Sequence, residues 1–245
     1  VLKISAIAVI LDRLRATVEL AVTAMVLSVL VGLPLGMIAG MKPDGWLGRT
    51  IMAGSILGFS LPTFWVGLIL IMVFAVHLGW LPSTGRGATV EVFGIGWSFL
   101  TLDGPAHLTL PALNLALFKI SLVIRLTRAG MRDVLASDYV RYARAKGLTQ
   151  RRVVMVHALK NILIPLVTVL GLEFGSVIAF AIVTETIFAW PGTGKLIIES
   201  INALDRPVMV AYLMIIVAIF VAINLLVDIT YSLLDPRIRL DGSAS

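Results

Sequence analysis

The sequence has no cysteine, so it has no disulfide framework, no thiol nucleophile and no thiolate-ligated metal. Charge is scarce too. Asp, Glu, Lys and Arg make up 14% of the 245 residues, where a soluble domain carries about 25%. Histidine is limited to His77, His107 and His157. They fall near the ends of different apolar runs, and none belongs to a His-Glu-x-x-His metal motif. No Ser/His pair shares a depth that suggests an intramembrane protease. Disorder, collagen, coiled coil and secreted disulfide scaffolds are excluded by composition. The chain opens Val1-Leu2-Lys3, without an initiator methionine or a signal-peptide cleavage pattern, and is expected to be a piece of something longer.

What is abundant is apolar. Hydrophobic residues are 59% and the mean hydropathy is +1.01. A soluble globule of this size needs more polar residues to cover its surface; an integral membrane protein does not. A bilayer core of about 30 Å takes roughly 20 apolar residues per helix. Five long apolar segments are present, at about 16–41, 51–80, 107–131, 162–189 and 207–234. The first contains one acid, Glu19, and a Gly32-Leu33-Pro34-Leu35-Gly36 interruption; Pro62 breaks the second. Pro111 and Pro165 sit near the starts of the third and fourth. Proline is tolerated in a span where neighbouring helices satisfy the freed carbonyl. The expectation is an all-α polytopic transmembrane helix bundle with five spans, forming one domain over 1–245.

Charge orients it. The connection at 132–160 holds Arg132, Arg141, Arg144, Lys146, Arg151, Arg152 and Lys160, with Arg125 and Arg128 just before it. The connection at 81–106 has one base, Arg86, and that at 190–206 has Lys195 and Arg206. The positive-inside rule places 132–160 in the cytoplasm. Alternation then puts the Lys42–Arg49 loop and the tail from Asp235 inside, and the other two connections outside. The N-terminus falls outside, against the sense of Lys3, Arg13 and Arg15; a preceding span resolves that conflict. The net charge of +6 and the pI near 10.0 follow from the cytoplasmic loops, so no nucleic-acid partner is expected. Trp80, Trp97 and Trp190 are expected at the outer boundary as an aromatic belt, with Tyr231 near the inner end.

The 132–160 connection is the most informative. Ser137 or Asp138 can cap a helix start, and Asp138 suits the positive end of its dipole. Arg144 and Lys146 suit its other end, and Gly147 can take the left-handed conformation that stops it. Thr149 can then cap a second helix, from Gln150 to about Leu159. Two helices at an angle would lie against the inner surface, the first showing Tyr139, Val140, Tyr142 and Ala143 among bases. Such a unit fits a groove on another protein; the alternative is a basic helix resting on anionic lipid.

Other features carry weaker signals. Pro191-Gly192-Thr193-Gly194-Lys195 is not a phosphate loop, because Ala189 and Leu196 stand where the pattern needs glycine and Ser or Thr. Lys119, Glu173 and Asp228 lie within spans, where an isolated charge costs about 2.5 kcal/mol or more. Lys119 and Glu173 fall at similar depth. They form either a buried structural pair or a pathway lining that meets the charged ends of a peptide. Asp228, one turn after Asn224, suits bonding between helices. A secondary transporter would use Lys119, Glu173 and Asp228 as an ion-coupling relay. That class usually shows an internal repeat, and none is visible. Glu185 near the outer end either belongs to an outer gate or reaches headgroup water.

Three stretches together carry a resemblance. Asp138-Tyr-Val-Arg-Tyr-Ala-Arg-Ala-Lys-Gly147-Leu148, followed by His157-Ala-Leu-Lys-Asn161 and Pro165, looks like the EAA loop of ABC-importer permeases. The others are Thr184-Glu-Thr-Ile-Phe-Ala-Trp-Pro-Gly-Thr-Gly194 and Asn224-Leu-Leu-Val-Asp228 through Tyr231 to Asp235-Pro-Arg-Ile-Arg239. The combination resembles the dipeptide/oligopeptide/nickel branch, in its first (B-type) permease subunit. Arg141 and Tyr142 replace the Glu-Ala of the general loop pattern, and its later proline is missing from 157–160; both departures are usual for the B-type subunit. The resemblance implies six spans, so one N-terminal span with its external segment is expected to be missing.

The resemblance further implies a bacterial or archaeal cytoplasmic membrane, a second homologous permease subunit, two ATPase subunits holding ATP and magnesium, and an external substrate-binding protein. It implies no catalysis and no cofactor on this chain. By implication Asp138, Tyr139, Arg141, Tyr142, Ala143, Arg144, Ala145, Lys146, Gly147 and Leu148 form the ATPase-coupling loop. Glu185, Trp190, Pro191 and Gly192 form part of an outer gate, with Ile197, Ile198 and Ile201 packing it at the outer mouth.

Overall fold

A computed structural model describes residues 6–92 and 95–234, without the side chains of Val92, Ile95, His157, Ile164, Ala179, Asp228 and 230–234. The Asp228 carboxylate, the His157 and Tyr231 rings, Lys3 and the Asp235–Arg239 stretch therefore lie outside the described residues.

Helix α1 runs Ala6–Met41, α2 Trp46–Ser60 and α3 Thr63–Leu70, the last continuing as a π-helical turn over Ile71–His77. Two short strands follow, β1 at Val90–Val92 and β2 at Ile95–Trp97, paired antiparallel. Then come α4 (Gly104–Ala136), α5 (Asp138–Ala145) and α6 (Gln150–Arg152), which passes through a π-helical turn (Val153–Ala158) into α7 (Leu159–Ile187). Helices α8 (Thr193–Asn202) and α9 (Arg206–Leu234) complete the bundle. Among the described residues, three helices, α1, α4 and α9, are long and apolar enough to cross a membrane, and the number rises to five if each of two bent pairs makes one span.

The α1–α4 contact is set by small residues. A Cβ placed on Gly32, Gly36 or Gly40 would come within 3.0 Å of Val123, Thr127 or Met131 respectively. Both series advance by four, so the two helices run in the same sense and interlock every turn. In lipid, where apolar burial gives helices little reason to associate, such close approach is what holds them. The main core joins Leu20, Ala24 and Met25 of α1 to Leu108, Ala112 and Leu115 of α4, and to Val177 and Ala181 of α7.

Three sequence expectations change. The first helix starts ten residues earlier than 16 and runs straight through Gly32–Gly36. Ile10 is fully buried against Leu196, Ile197 and Tyr212, so tertiary packing extends the helix past Asp12 and Arg13. The break expected at Pro62 is there, as a bend of 104°. One end of this bent unit packs by the Lys42 carbonyl, just past α1, and the other leads to Arg86, which bonds Glu19, so the connection returns along α1 to the level of Glu19. The helix from Gln150 does not end near Leu159; it bends by 43° and joins α7. Trp190 is no belt residue: it is wholly buried, its indole N–H donating to the Ala16 carbonyl at 2.9 Å. Trp80 is exposed.

Candidate functional site

The elbow, expected from its charge on the cytoplasmic side, is built on α5. Val140 is fully buried and Ala143 nearly so, both against Val153, with Val134, Leu135 and Leu148 beside them. This apolar seat leaves Asp138, Tyr139, Arg141, Tyr142, Arg144, Ala145 and Lys146 exposed. Ala143 therefore anchors the helix, and Leu148 is half-buried next to it. Tyr142 lies under the Lys146 ammonium, 4.6 Å from ring centre to nitrogen. The Asn161 amide donates to the Tyr139 hydroxyl at 2.6 Å, tying α5 to the start of α7. Gly147 has φ +80°, which a residue with a Cβ adopts only under strain. The expected caps are positional only. The Ser137 hydroxyl donates back to the Val134 carbonyl at 2.5 Å, and neither Ser137 nor Thr149 makes a side-chain cap.

Within the bundle, Lys119 of α4 and Glu173 of α7 are paired directly. The Lys119 ammonium also reaches the Ser176 hydroxyl at 3.1 Å, and that hydroxyl lies 2.9 Å from the same Glu173 oxygen. Lys119 is nearly buried; the Glu173 side chain is one-third exposed. One turn earlier on α4, the buried Asn114 donates to the Thr184 hydroxyl at 2.9 Å.

The end of the bundle at α8, expected from charge to face outward, is knitted more tightly. Glu185 is fully buried and accepts from the Thr17 hydroxyl at 2.7 Å and from the Lys195 N–H at 3.0 Å, in the first turn of α8. The Thr193 N–H donates to Thr17 at 2.8 Å. A carboxylate here meets both the unpaired N–H groups and the positive dipole end of α8. Gly192 must lack a side chain, since a Cβ there would collide with that carboxylate. Pro191 is half-buried beside it. Ile197 is buried as expected, whereas Ile198 and Ile201 are exposed.

A second acid, Glu19, is almost fully buried. It accepts from Arg86 Nε at 2.9 Å, from the Ser98 N–H at 2.7 Å, from the Ser98 hydroxyl at 2.8 Å and from the Phe99 N–H at 3.2 Å. Arg86 also donates to the Gly96 carbonyl at 2.7 Å and lies 5.9 Å from the Trp190 ring centre. Sequence reasoning overlooked this joint. Its signal was present: one acid in the first apolar run and one base in the first outer connection. Thr17, Asn114 and Ser176 gave no signal, because hydroxyls and amides are ordinary within spans. Among the described residues, no three His, Asp or Glu side chains gather to hold a metal.

This bundle can be placed by comparison. The family model described as "Binding-protein-dependent transport system inner membrane component" matches residues 32–240. The chain belongs to that family. It is similar to the dipeptide transport system permease protein DppB of Escherichia coli K12, 38% identical over 244 aligned residues, covering 93% of this chain and 71% of the relative. It is 43% identical over 236 residues to the di/tripeptide transport system permease protein DppB of Pseudomonas aeruginosa, covering 91% and 70%.

Among solved structures it shares the fold of the inward-facing MetNI methionine ABC transporter, with TM-score 0.73 at 17% identity, covering 93% of this chain and 96% of that one. An amino acid ABC transporter with histidines matches with TM-score 0.61 at 20% identity, covering 94% of each chain. The chain is thus an inner-membrane permease component of an ABC importer, not an ion-coupled secondary transporter. Membership implies a partner permease, an ATPase and a binding protein in general terms.

Proposed function

We propose that this permease carries di- or oligopeptides, paired with a second homologous permease, above two ATPase subunits that bind ATP and magnesium and do all the hydrolysis. An external binding protein delivers the solute. The peptide assignment rests on the relatives called dipeptide and di/tripeptide permeases. Lys119 and Glu173 line the translocation pathway. Glu185, Trp190, Pro191 and Gly192 form the frame of the outer gate, so that α8 moves with α1 and α7 as one piece.

The observation that carries the mechanism is the α5 elbow. It sets a seated apolar face below an exposed row of tyrosines and bases, stopped by a left-handed glycine. A helix held this way transmits a push as rigid-body motion instead of absorbing it. The row from Asp138 through Leu148 serves as the ATPase-coupling surface, with Gly147 fixing the angle. Because these 245 residues hold no cysteine, a single cysteine introduced for Tyr142 gives a defined crosslinking point. It is expected to link to an ATPase subunit in intact membranes, and linkage to lipid alone would overturn the coupling role. Uptake into vesicles is expected to persist with ATP after the proton gradient is collapsed.

A further inference from the structure

The Lys119–Glu173 pair does not close off its surroundings. It borders a cavity of about 400 Å³ between α3, α4 and α7, within the size range of small-molecule sites, about 300–1,000 Å³. Its walls are mostly apolar, with Phe118 and Phe180 among them. The polar groups are few: the ion pair, Ser176, Thr63 and Thr184. Thr184 is fixed from behind by Asn114. Lys119 lies 15 residues into α4 from Gly104, and Glu173 lies 14 residues before the end of α7 at Ile187. At about 1.5 Å per residue, both sit roughly 20 Å from the outer ends of their helices. The cation stands on the α4 wall and the anion on the α7 wall.

Electrostatics restricts what this cavity can accept. A solute with one charge draws one member of the pair to itself and leaves the other unpaired at a depth where an unpaired charge is strongly unfavourable. A zwitterion avoids that outcome. Its carboxylate takes the Lys119 ammonium while its own ammonium takes the Glu173 carboxylate. One ion pair becomes two, and no charge is left without a partner. Because Lys119 and Glu173 are adjacent, both ends of the solute must reach the same small region. Two residues of extended chain span at most about 7 Å, which meets that condition; a long peptide does not.

We propose that Lys119 and Glu173 form a partner-exchange site for short peptides with both termini free. This rests on the peptide-importer reading and adds a recognition step within the permease itself, independent of the delivery protein. Ser176, bonded to both charged groups, holds the empty pair together and lets each swing to a new partner.

The test uses the detergent-solubilised complex without delivery protein, so that only the permease recognises the solute. A dipeptide with a photoreactive side chain is expected to label peptides containing Phe118 or Phe180. An excess of the unlabelled dipeptide should reduce labelling at least tenfold, and its N-acetyl, C-amide analogue should not. Equal competition by both, or no labelling at the cavity, overturns the proposal.

A second arm uses vesicles with the delivery protein and the double variant Lys119→Met/Glu173→Gln, which removes both charges together. With ATPase subunits still copurifying, dipeptide uptake should fall at least tenfold. Uptake near wild type would show the pair to be merely structural. Failure of the importer reading has a different signature: wild-type vesicles would take up no peptide when ATP is supplied.

Discussion

The two ends of this bundle treat charge in opposite ways. At the outer end, Glu19 and Glu185 are buried and each holds several donors drawn from different elements. At the inner end, Asp138, Arg141, Arg144 and Lys146 are exposed, and the Asp138–Arg141 pair is a 3.4 Å contact within one turn of α5. A buried carboxylate that loses a partner is left uncompensated, so the outer joint is intolerant of change. An exposed ion pair contributes little to stability, so the inner surface is free to be shaped for a partner. The lesson is a division of labour along one set of helices. One end fixes geometry and the other offers contact.

The comparison can be broken most forcefully at Glu185. Glu185→Leu removes the acceptor for the Thr17 hydroxyl and the Lys195 N–H in a buried site. The orphaned Lys195 N–H costs about 1–3 kcal/mol, and the Thr17 hydroxyl is left with Thr193 alone as its acceptor, at 3.0 Å. The subunit should all but vanish from membranes, as measured by its steady-state amount. Arg86→Gln comes next, since it takes the counter-charge from buried Glu19 and leaves it the Ser98 and Phe99 donors; about 3 kcal/mol is expected. The melting temperature of the purified complex should drop, and the double variant Arg86→Gln/Glu19→Gln should drop less.

At the inner end the expected effects move from stability to function. Gly147 has open space where a side chain would begin, so Gly147→Asp meets only backbone strain of about 1–2 kcal/mol. It should reach the membrane in near-normal amount, hydrolyse ATP in complex, and lose at least nine-tenths of uptake. Wild-type uptake by this variant would remove Gly147 from the coupling mechanism. The smallest effect is expected at Arg141→Gln. Melting should be unchanged, with any change confined to how much ATPase subunit copurifies.

The sequence made the helices legible because long apolar runs admit few other solutions in lipid. Gly147 was also readable, since glycine after Arg144-Ala145-Lys146 has a specific backbone purpose. The Lys119–Glu173 pair followed from depth alone: two opposite charges at similar height seek one another. The outer joint was only half readable: a lone acid and a lone base were in view, but their pairing depends on a connection folding back across α1. Nothing local in Arg86 or Ser98 reveals that their partner lies at Glu19. Trp190 misled for a related reason. Tryptophan near a span end suits the lipid interface, and only the turn into α8 carries it inward. The start of α1 was misplaced because polarity at Asp12 and Arg13 outweighed a contact, at Ile10, that periodicity cannot show.

The glycine ladder has a mechanical corollary. Helix α4 continues past Met131 to Ala136 and leads within two residues into α5, while its membrane portion is notched into α1 through Gly32, Gly36 and Gly40. The upper half of α1 carries Thr17 and Glu19. The pair therefore works like a push rod keyed to its sleeve: a tilt applied to the α5 stub would be carried through the notched stretch along α1 toward Thr17 and Glu19.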